Sequence, residues 1–201
     1  MRVLAISAHP DDAELGAGGI IQRADVRRIV VLSRGEAGGD PQQRTREQME
    51  SAGILRATCS MHNLTDTEFD LKRTIEILEA EVREFKPDMV VTMAARDTHQ
   101  DHRTTYRASM VACRDVPCTI LTYVGPSSAP GFQPTWFVPL SESEMRVKLA
   151  ALACHHSQSG REYMVPAAVE SMARYWAMVE RCGAQYVEPF ECIRYLDKVA
   201  P

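Results

Sequence analysis

Four side chains able to bind a metal ion or move a proton fall within six positions: His9, Asp11, Asp12 and Glu14. They follow the short apolar run Val3-Leu4-Ala5-Ile6. Carboxylates packed this closely repel one another and resist desolvation, so a cation among them would offset the cost. Pro10 holds the residue before it extended and restricts the turn after it. Read alone, the stretch is equally a surface turn whose aspartates cap the next helix. A second cluster shifts the balance. Asp97, His99, Asp101 and His102 follow another apolar run, Met89-Val90-Val91-Thr92-Met93. Two such clusters, each just past a buried type of strand, point to a metal site, and His, His and Asp suit zinc. Three protein ligands with an open position make a catalytic site rather than a structural one.

The elements that must position these residues alternate along the chain. Apolar runs predict strands over residues 2–6, 28–32, 59–64, 89–93 and 118–123, an extended segment over 136–140, and a closing strand over 186–195. Helical spacing predicts helices over 41–56, with Met49, Ala52 and Leu55 on one face, and over 71–85, where Leu71, Ile75, Leu78, Val82 and Phe85 form the buried stripe. Further helices are expected over 102–114, 141–156 (opened by a Ser141/Glu144 capping box) and 166–182. Residues 125–134, with three prolines, read as a surface loop. The run Gly16-Ala17-Gly18-Gly19 is not a dinucleotide fingerprint; it either lets backbone approach a ligand or lets a helix pack on the sheet.

Strand and helix in alternation predict a single α/β domain over residues 1–201, a Rossmann-like, doubly wound, mostly parallel sheet with helices on both faces. In such sheets ligands sit beyond the carboxyl ends of strands where the order changes direction, usually between the first and fourth strands. Those are the strands that the two clusters follow.

Bulk properties narrow the function. The 201 residues carry 23 Lys and Arg against 27 Asp and Glu, a net charge of −4, which argues against a nucleic-acid or anionic-membrane surface. No apolar run approaches the ~18 residues of a membrane span. The N-terminus lacks the pattern of a signal peptide, and the six cysteines include no C-x-x-C pair, so free thiols in a cytoplasmic protein are expected.

The chain resembles the LmbE-like or PIG-L family of zinc-dependent de-N-acetylases, nearly end to end. The resemblance rests on Ala8-His9-Pro10-Asp11-Asp12, Gly35-Glu36-Ala37-Gly38, Lys86-Pro87-Asp88, Asp97-x-His99-x-Asp101-His102, Lys148, His155-x-Ser157-Gln158 and Glu188-x-Phe190. It implies a hydrolase removing the acetyl group from an N-acetylglucosamine-type sugar or its conjugate, and a homo-oligomer, as relatives often form cyclic assemblies. It assigns Zn²⁺ to His9, Asp12 and His102, makes Asp11 the general base, and gives His99 the task of stabilising or protonating the reacting amide. The chemistry is consistent: one of two adjacent carboxylates can bind the metal while the other faces the open position, and Asp101 would orient a histidine through its ring N–H. Arg46, on the resemblance, contacts sugar or phosphate. Glu36 either touches substrate or caps a helix, and His155 lines the pocket or packs. Tyr106 and Tyr163 read as packing residues. Ala13, Arg34 and Pro189 depart from the common family pattern. The rival readings are a metal-dependent phosphoesterase, which needs a second metal, and a non-catalytic zinc- or sugar-binding module. A closed structural site of His9, Asp12, His99 and His102 is a further alternative.

Overall fold

The computed structural model describes residues 1–128 and 131–197. Its strands are β1 (Arg2–Ser7), β2 (Val26–Ser33), β3 (Thr58–Leu64), β4 (Met89–Met93), β5 (Thr119–Tyr123), β6 (Trp136–Leu140) and β7 (Tyr186–Arg194). They form one sheet in the order β3-β2-β1-β4-β5-β7-β6. The first five strands are parallel, and β7 runs antiparallel to β5 and β6. The helices are α1 (Asp12–Gln22), α2 (Pro41–Ile54), α3 (Leu71–Phe85), α4 (Gln100–Ala112), α5 (Glu142–Ala153) and α6 (Pro166–Glu180).

Side chains on a strand alternate between faces, and those of β1 feed two separate cores. Val3 and Ala5 enter one core with Ile20 of α1, Ala52 of α2, Leu152 of α5 and Val169 of α6. Leu4 and Ile6 enter the other with Leu78 and Val82 of α3 and Ala108 of α4. Both faces of the sheet are therefore covered, as the continuous apolar character of β1 and β4 requires. The change of direction falls where expected. β1 pairs with β2 on one side and with β4 on the other, in the register Val3↔Met89 and Ala5↔Val91.

Three local expectations change. The helix expected from residue 102 starts at Gln100, with His99 as its N-cap, so His102 sits in the first turn of α4. On α2 the buried residues are Arg44, Glu47, Gln48, Ser51 and Ala52, whereas Met49 is 45% exposed. Helical spacing is kept, but most of the inward stripe is polar. Of the loop expected over 125–134, Ala129 and Pro130 lie outside the described residues; Ser128 forms an isolated bridge with Asp97.

The glycine run resolves as a packing device. α1 breaks at Ala17 (φ −139°, ψ 15°), which frees the N–H groups of Gly19 and Ile20 to donate to the Glu188 carboxylate at 2.7 and 3.0 Å. Lys148 Nζ donates to the same carboxylate at 2.7 Å, both side chains being buried. A Cβ on Gly16 would strike Tyr123, and one on Gly19 would strike Leu140. The glycines thus let α1 lie against β5 and β6, and Lys148 and Glu188 anchor its second half.

Candidate active site

The loop leaving β1 tightens at once into α1. Asp11 is the N-cap and adopts φ 99°, a left-handed conformation that costs a non-glycine residue about 1–3 kcal/mol. Two residues of α2 hold it there. Gln48 Oε1 accepts from the Asp11 N–H at 3.2 Å, and Arg44 Nη2 reaches the Pro10 carbonyl at 2.9 Å and Asp11 Oδ2 at 3.3 Å. Arg44 also donates to the Gly35 carbonyl at 2.9 Å, tying the turn after β2 to the same point. Asp12 is oriented by its own turn, its Oδ2 accepting from the His9 N–H at 2.8 Å.

The second cluster arrives on the first turn of α4 and faces the first. His9 Nδ1 lies 3.6 Å from Asp12 Oδ2 and 3.3 Å from His102 Nε2, and His102 Nε2 lies 3.5 Å from Asp12 Oδ1. Tetrahedral zinc with bonds of about 2.0–2.1 Å has ligand atoms about 3.3 Å apart. The spacing fits, and these three residues form a group able to hold a metal ion.

The tautomers fit as well. His9 Nε2 faces Asp66 Oδ1 at 3.0 Å and Asp101 Oδ2 at 3.1 Å. His102 Nδ1 faces Asp97 Oδ2 at 3.0 Å and Ser127 Oγ at 3.2 Å. A carboxylate only accepts, so these nitrogens carry the protons. The lone pairs are left on His9 Nδ1 and His102 Nε2, the two atoms that converge with Asp12. Asp101 thus faces a ring nitrogen of His9, Asp97 one of His102, and Asp66 shares His9 with Asp101. A second group of donors (His9, Asp66, His99 and Asp101) also lies within reach of one ion. There, however, the His9 nitrogen is the protonated one, and Asp101 already accepts from the Thr67 and Phe69 N–H groups.

Electrostatics mark the place as short of positive charge. Burial pulls His9 down, yet Asp101, Asp12 and Asp66 outweigh it and leave the ring well above its ordinary pKa. His102 is also raised: burial lowers it, and Asp12 and Asp97 more than compensate. A divalent cation on the lone-pair side would supply the charge these carboxylates draw in. Asp11 is pushed up to about 8 by burial and by Asp12, against the pull of Arg44.

His99 stacks on His102 with ring centroids 4.7 Å apart. Its Nδ1 accepts from the Asp101 N–H at 3.2 Å, and burial with the neighbouring histidines lowers its pKa. The ring is therefore neutral, with its proton on Nε2.

These groups line a cavity of about 300 Å³ that includes His9, Asp11, Asp12, His99, His102 and Arg44. Several expected contacts lie elsewhere. Arg46 is on the exposed face of α2, because residues two apart on a helix point to opposite sides, and Arg44 is the arginine turned inward. Glu36 is exposed and accepts from the Asp66 N–H at 2.9 Å, so it braces the Asp66 loop rather than lining the cavity. His155 is buried, 1% exposed, with neither ring nitrogen hydrogen-bonded. Glu14 is buried against Gln48 Nε2 at 2.6 Å, away from the converging donors. Tyr163, read as a packing residue, stands in the cavity wall and is 37% exposed.

A family model described as PIG-L, GlcNAc-PI de-N-acetylase, matches residues 4–113, which contain both clusters. The chain belongs to the PIG-L family. A family relative, the uncharacterized deacetylase YaiS of Escherichia coli K12, is 39% identical over 168 residues, covering 77% of this chain and 90% of YaiS. Among solved structures, N,N'-diacetylchitobiose deacetylase from Pyrococcus horikoshii superposes with a TM-score of 0.81 at 22% identity, over 96% of this chain and 83% of that one. GalB, the 4-carboxy-2-hydroxymuconate hydratase of Pseudomonas putida KT2440, does so with a TM-score of 0.81 at 20% identity, over 99% of each chain. A deacetylase and a hydratase share the PIG-L fold, so the reaction has to be argued from the site.

Proposed function

We propose that this protein is a zinc-dependent hydrolase that removes the acetyl group from an N-acetylated amino sugar or its conjugate. One observation carries the reading: two histidines, each held by carboxylates in the required tautomer, aim their lone pairs with Asp12 at one point on the wall of a polar cavity. The names of the PIG-L model and of YaiS, a de-N-acetylase and a deacetylase, support the choice of reaction.

His9 Nδ1, Asp12 and His102 Nε2 are the ligands in this reading. A zinc ion held by three protein groups supplies Lewis acidity toward the acetyl carbonyl and lowers the pKa of a water molecule. Asp11 takes the proton of the water whose oxygen adds to the acetyl carbon. It later delivers that proton to the nitrogen as the C–N bond breaks, giving a free amine and acetic acid, which loses its remaining proton to become acetate. Arg44 keeps the Asp11 carboxylate aimed during both transfers. His99 donates its Nε2 proton in a hydrogen bond to the oxygen on which negative charge develops.

A phosphoesterase would want a second metal. The other donor group offers a poor one, since it uses a protonated histidine nitrogen and a carboxylate engaged by two backbone N–H groups. Among the described residues no helix is long and apolar enough to cross a membrane. Exposed Tyr175, Met178 and Val179 on α6 support a homo-oligomer, which light scattering tests.

The direct experiment is an amine-release screen across N-acetylated sugars, with zinc content measured alongside. About one zinc per chain and release of primary amine are expected. Unchanged metal content in the His9→Ala/His102→Ala double variant, or no amine from any N-acetylated sugar, would overturn the reading.

A further inference from the structure

Of the four side chains crowded into residues 9–14, Glu14 is the one that the proposed chemistry leaves without a task. It is fully buried on α1, outside the group formed by His9, Asp12 and His102. Burying a carboxyl group is costly unless donors meet its oxygens. The donor here is Gln48 of α2, itself fully buried, whose Nε2 reaches Glu14 Oε1 at 2.6 Å.

Gln48 faces two ways. Its Oε1 accepts from the Asp11 N–H at 3.2 Å while its Nε2 donates to Glu14. A primary amide carries an acceptor at one corner and donors at the other, and turning it over exchanges them. Turned over, it would set donor against donor at Asp11 and acceptor against acceptor at Glu14. Glu14 therefore holds the NH₂ end on α1 and leaves the oxygen for Asp11. This asks of Glu14 only an oxygen lone pair, which a glutamine also offers.

The grip matters because Asp11 is strained. Its φ of 99° and ψ of −28° lie where a non-glycine residue stays only if its surroundings hold it, and the N–H that Gln48 engages turns with that φ. Arg44 holds the same turn from the other side, through the Pro10 carbonyl and the Asp11 carboxylate.

We propose that Glu14 is a positioning residue, which acts through the Gln48 amide to keep the Asp11 backbone left-handed and its carboxylate aimed into the polar cavity. The inference rests on the function proposed above, in which Asp11 is the base.

The test sets Glu14→Met, Glu14→Gln, Gln48→Met and the Glu14→Met/Gln48→Met double variant beside the parent, all loaded with zinc. Methionine matches glutamate in length and lacks the acceptor. Misplacing a reacting group by about 1 Å costs on the order of 100-fold in rate, and Arg44 keeps part of the hold. For Glu14→Met we expect kcat to fall about 10- to 100-fold, with KM and zinc content within about twofold of the parent. Glu14→Gln keeps kcat within about threefold. Because Glu14 works through Gln48, the double variant falls no further than Gln48→Met alone; losses that multiply overturn the proposal. A merely structural role would loosen the whole start of α1, and amide hydrogen exchange separates the two. Exchange at Asp11 should quicken at least about tenfold in Glu14→Met, while Ala13, whose N–H donates to Ser7 Oγ at 3.0 Å, exchanges as in the parent. Equal acceleration at both amides, loss of zinc, or an unchanged kcat overturns the proposal and leaves the proposed function standing. Glu14→Leu carries the same expectations if Glu14→Met does not fold. If the parent deacetylates no sugar, the proposed function fails and exchange alone decides. Protection of Asp11 lost in Glu14→Met and kept in Glu14→Gln sustains the positioning role, and equal rates in the two overturn it.

Discussion

Asp97 touches neither the cavity's contents nor the proposed metal, yet its replacement by Asn should loosen the metal. Its Oδ2 takes the proton of His102 Nδ1 at 3.0 Å, and its Oδ1 accepts from the His99 N–H at 2.8 Å. Asp97→Asn keeps the shape and one acceptor but removes the charge. A hydrogen bond to a charged group contributes about 1.5–3 kcal/mol and a neutral one about 1. The difference, about 0.5–2 kcal/mol, corresponds to a roughly 2- to 30-fold weaker metal affinity. That range overlaps the 10- to 100-fold typical of partners behind a metal-bound histidine. Ser127 Oγ, 3.2 Å from the same nitrogen, takes over part of the role, which favours the lower half. Zinc competition against a chromogenic chelator measures the affinity directly. Activity at saturating zinc should return to within a few-fold of the parent, since the ligands are intact. An unchanged zinc affinity in a folded Asp97→Asn variant would refute the tautomer argument, and with it the choice of His102 Nε2 as a ligand atom.

Asp11→Ala should keep its zinc and lose about 10²–10⁴-fold in kcat, because the general base is gone while His9, Asp12 and His102 remain; loss of zinc would show Asp11 to be a ligand. Lys148→Met leaves the Glu188 carboxylate buried with only two backbone donors, and should cost about 3 kcal/mol, or roughly 6–12 °C in melting temperature for a chain of this size. A shift under 2 °C in thermal denaturation would contradict that account. Burial lowers His155 to about 4, so the unfolded chain binds the extra proton between pH 6.5 and 4 while the folded chain does not. Stability should therefore fall as pH drops through that window, by about 3 kcal/mol from this group alone. Urea titrations of chelated protein should show the fall reduced by that amount in His155→Phe; parallel curves for the two proteins would refute it.

Much of this protein is written locally in its chain. The strands around Val3–Ile6 and Met89–Met93 declare themselves because a strand buried on both faces is apolar at every position, and the Ser141/Glu144 box forms where its residues stand, three apart. The two clusters are legible for a related reason: each is a short turn fixed to the end of such a strand. Once β1 and β4 are neighbours, little freedom remains in where His9 and His102 meet.

The features that stayed hidden depend on contacts between distant segments. Arg44, Glu47, Gln48 and Ser51 form a polar inward stripe on α2, and a search for apolar periodicity turns such a helix around, putting Met49 inside and choosing Arg46 over Arg44. Asp66 lies in an ordinary polar loop, and only the placement of β3 beside β2 carries it to His9. A second cavity, of about 610 Å³, has no sequence signal at all, since it is the space left where α6, β7 and the segment after β5 fail to close over α1. Local chemistry and hydrophobic period decide elements and their ends. Which side chains of a polar helix face inward, and where the packed layers leave room, are settled only when the layers are assembled, because both are properties of the gap between elements rather than of any one of them.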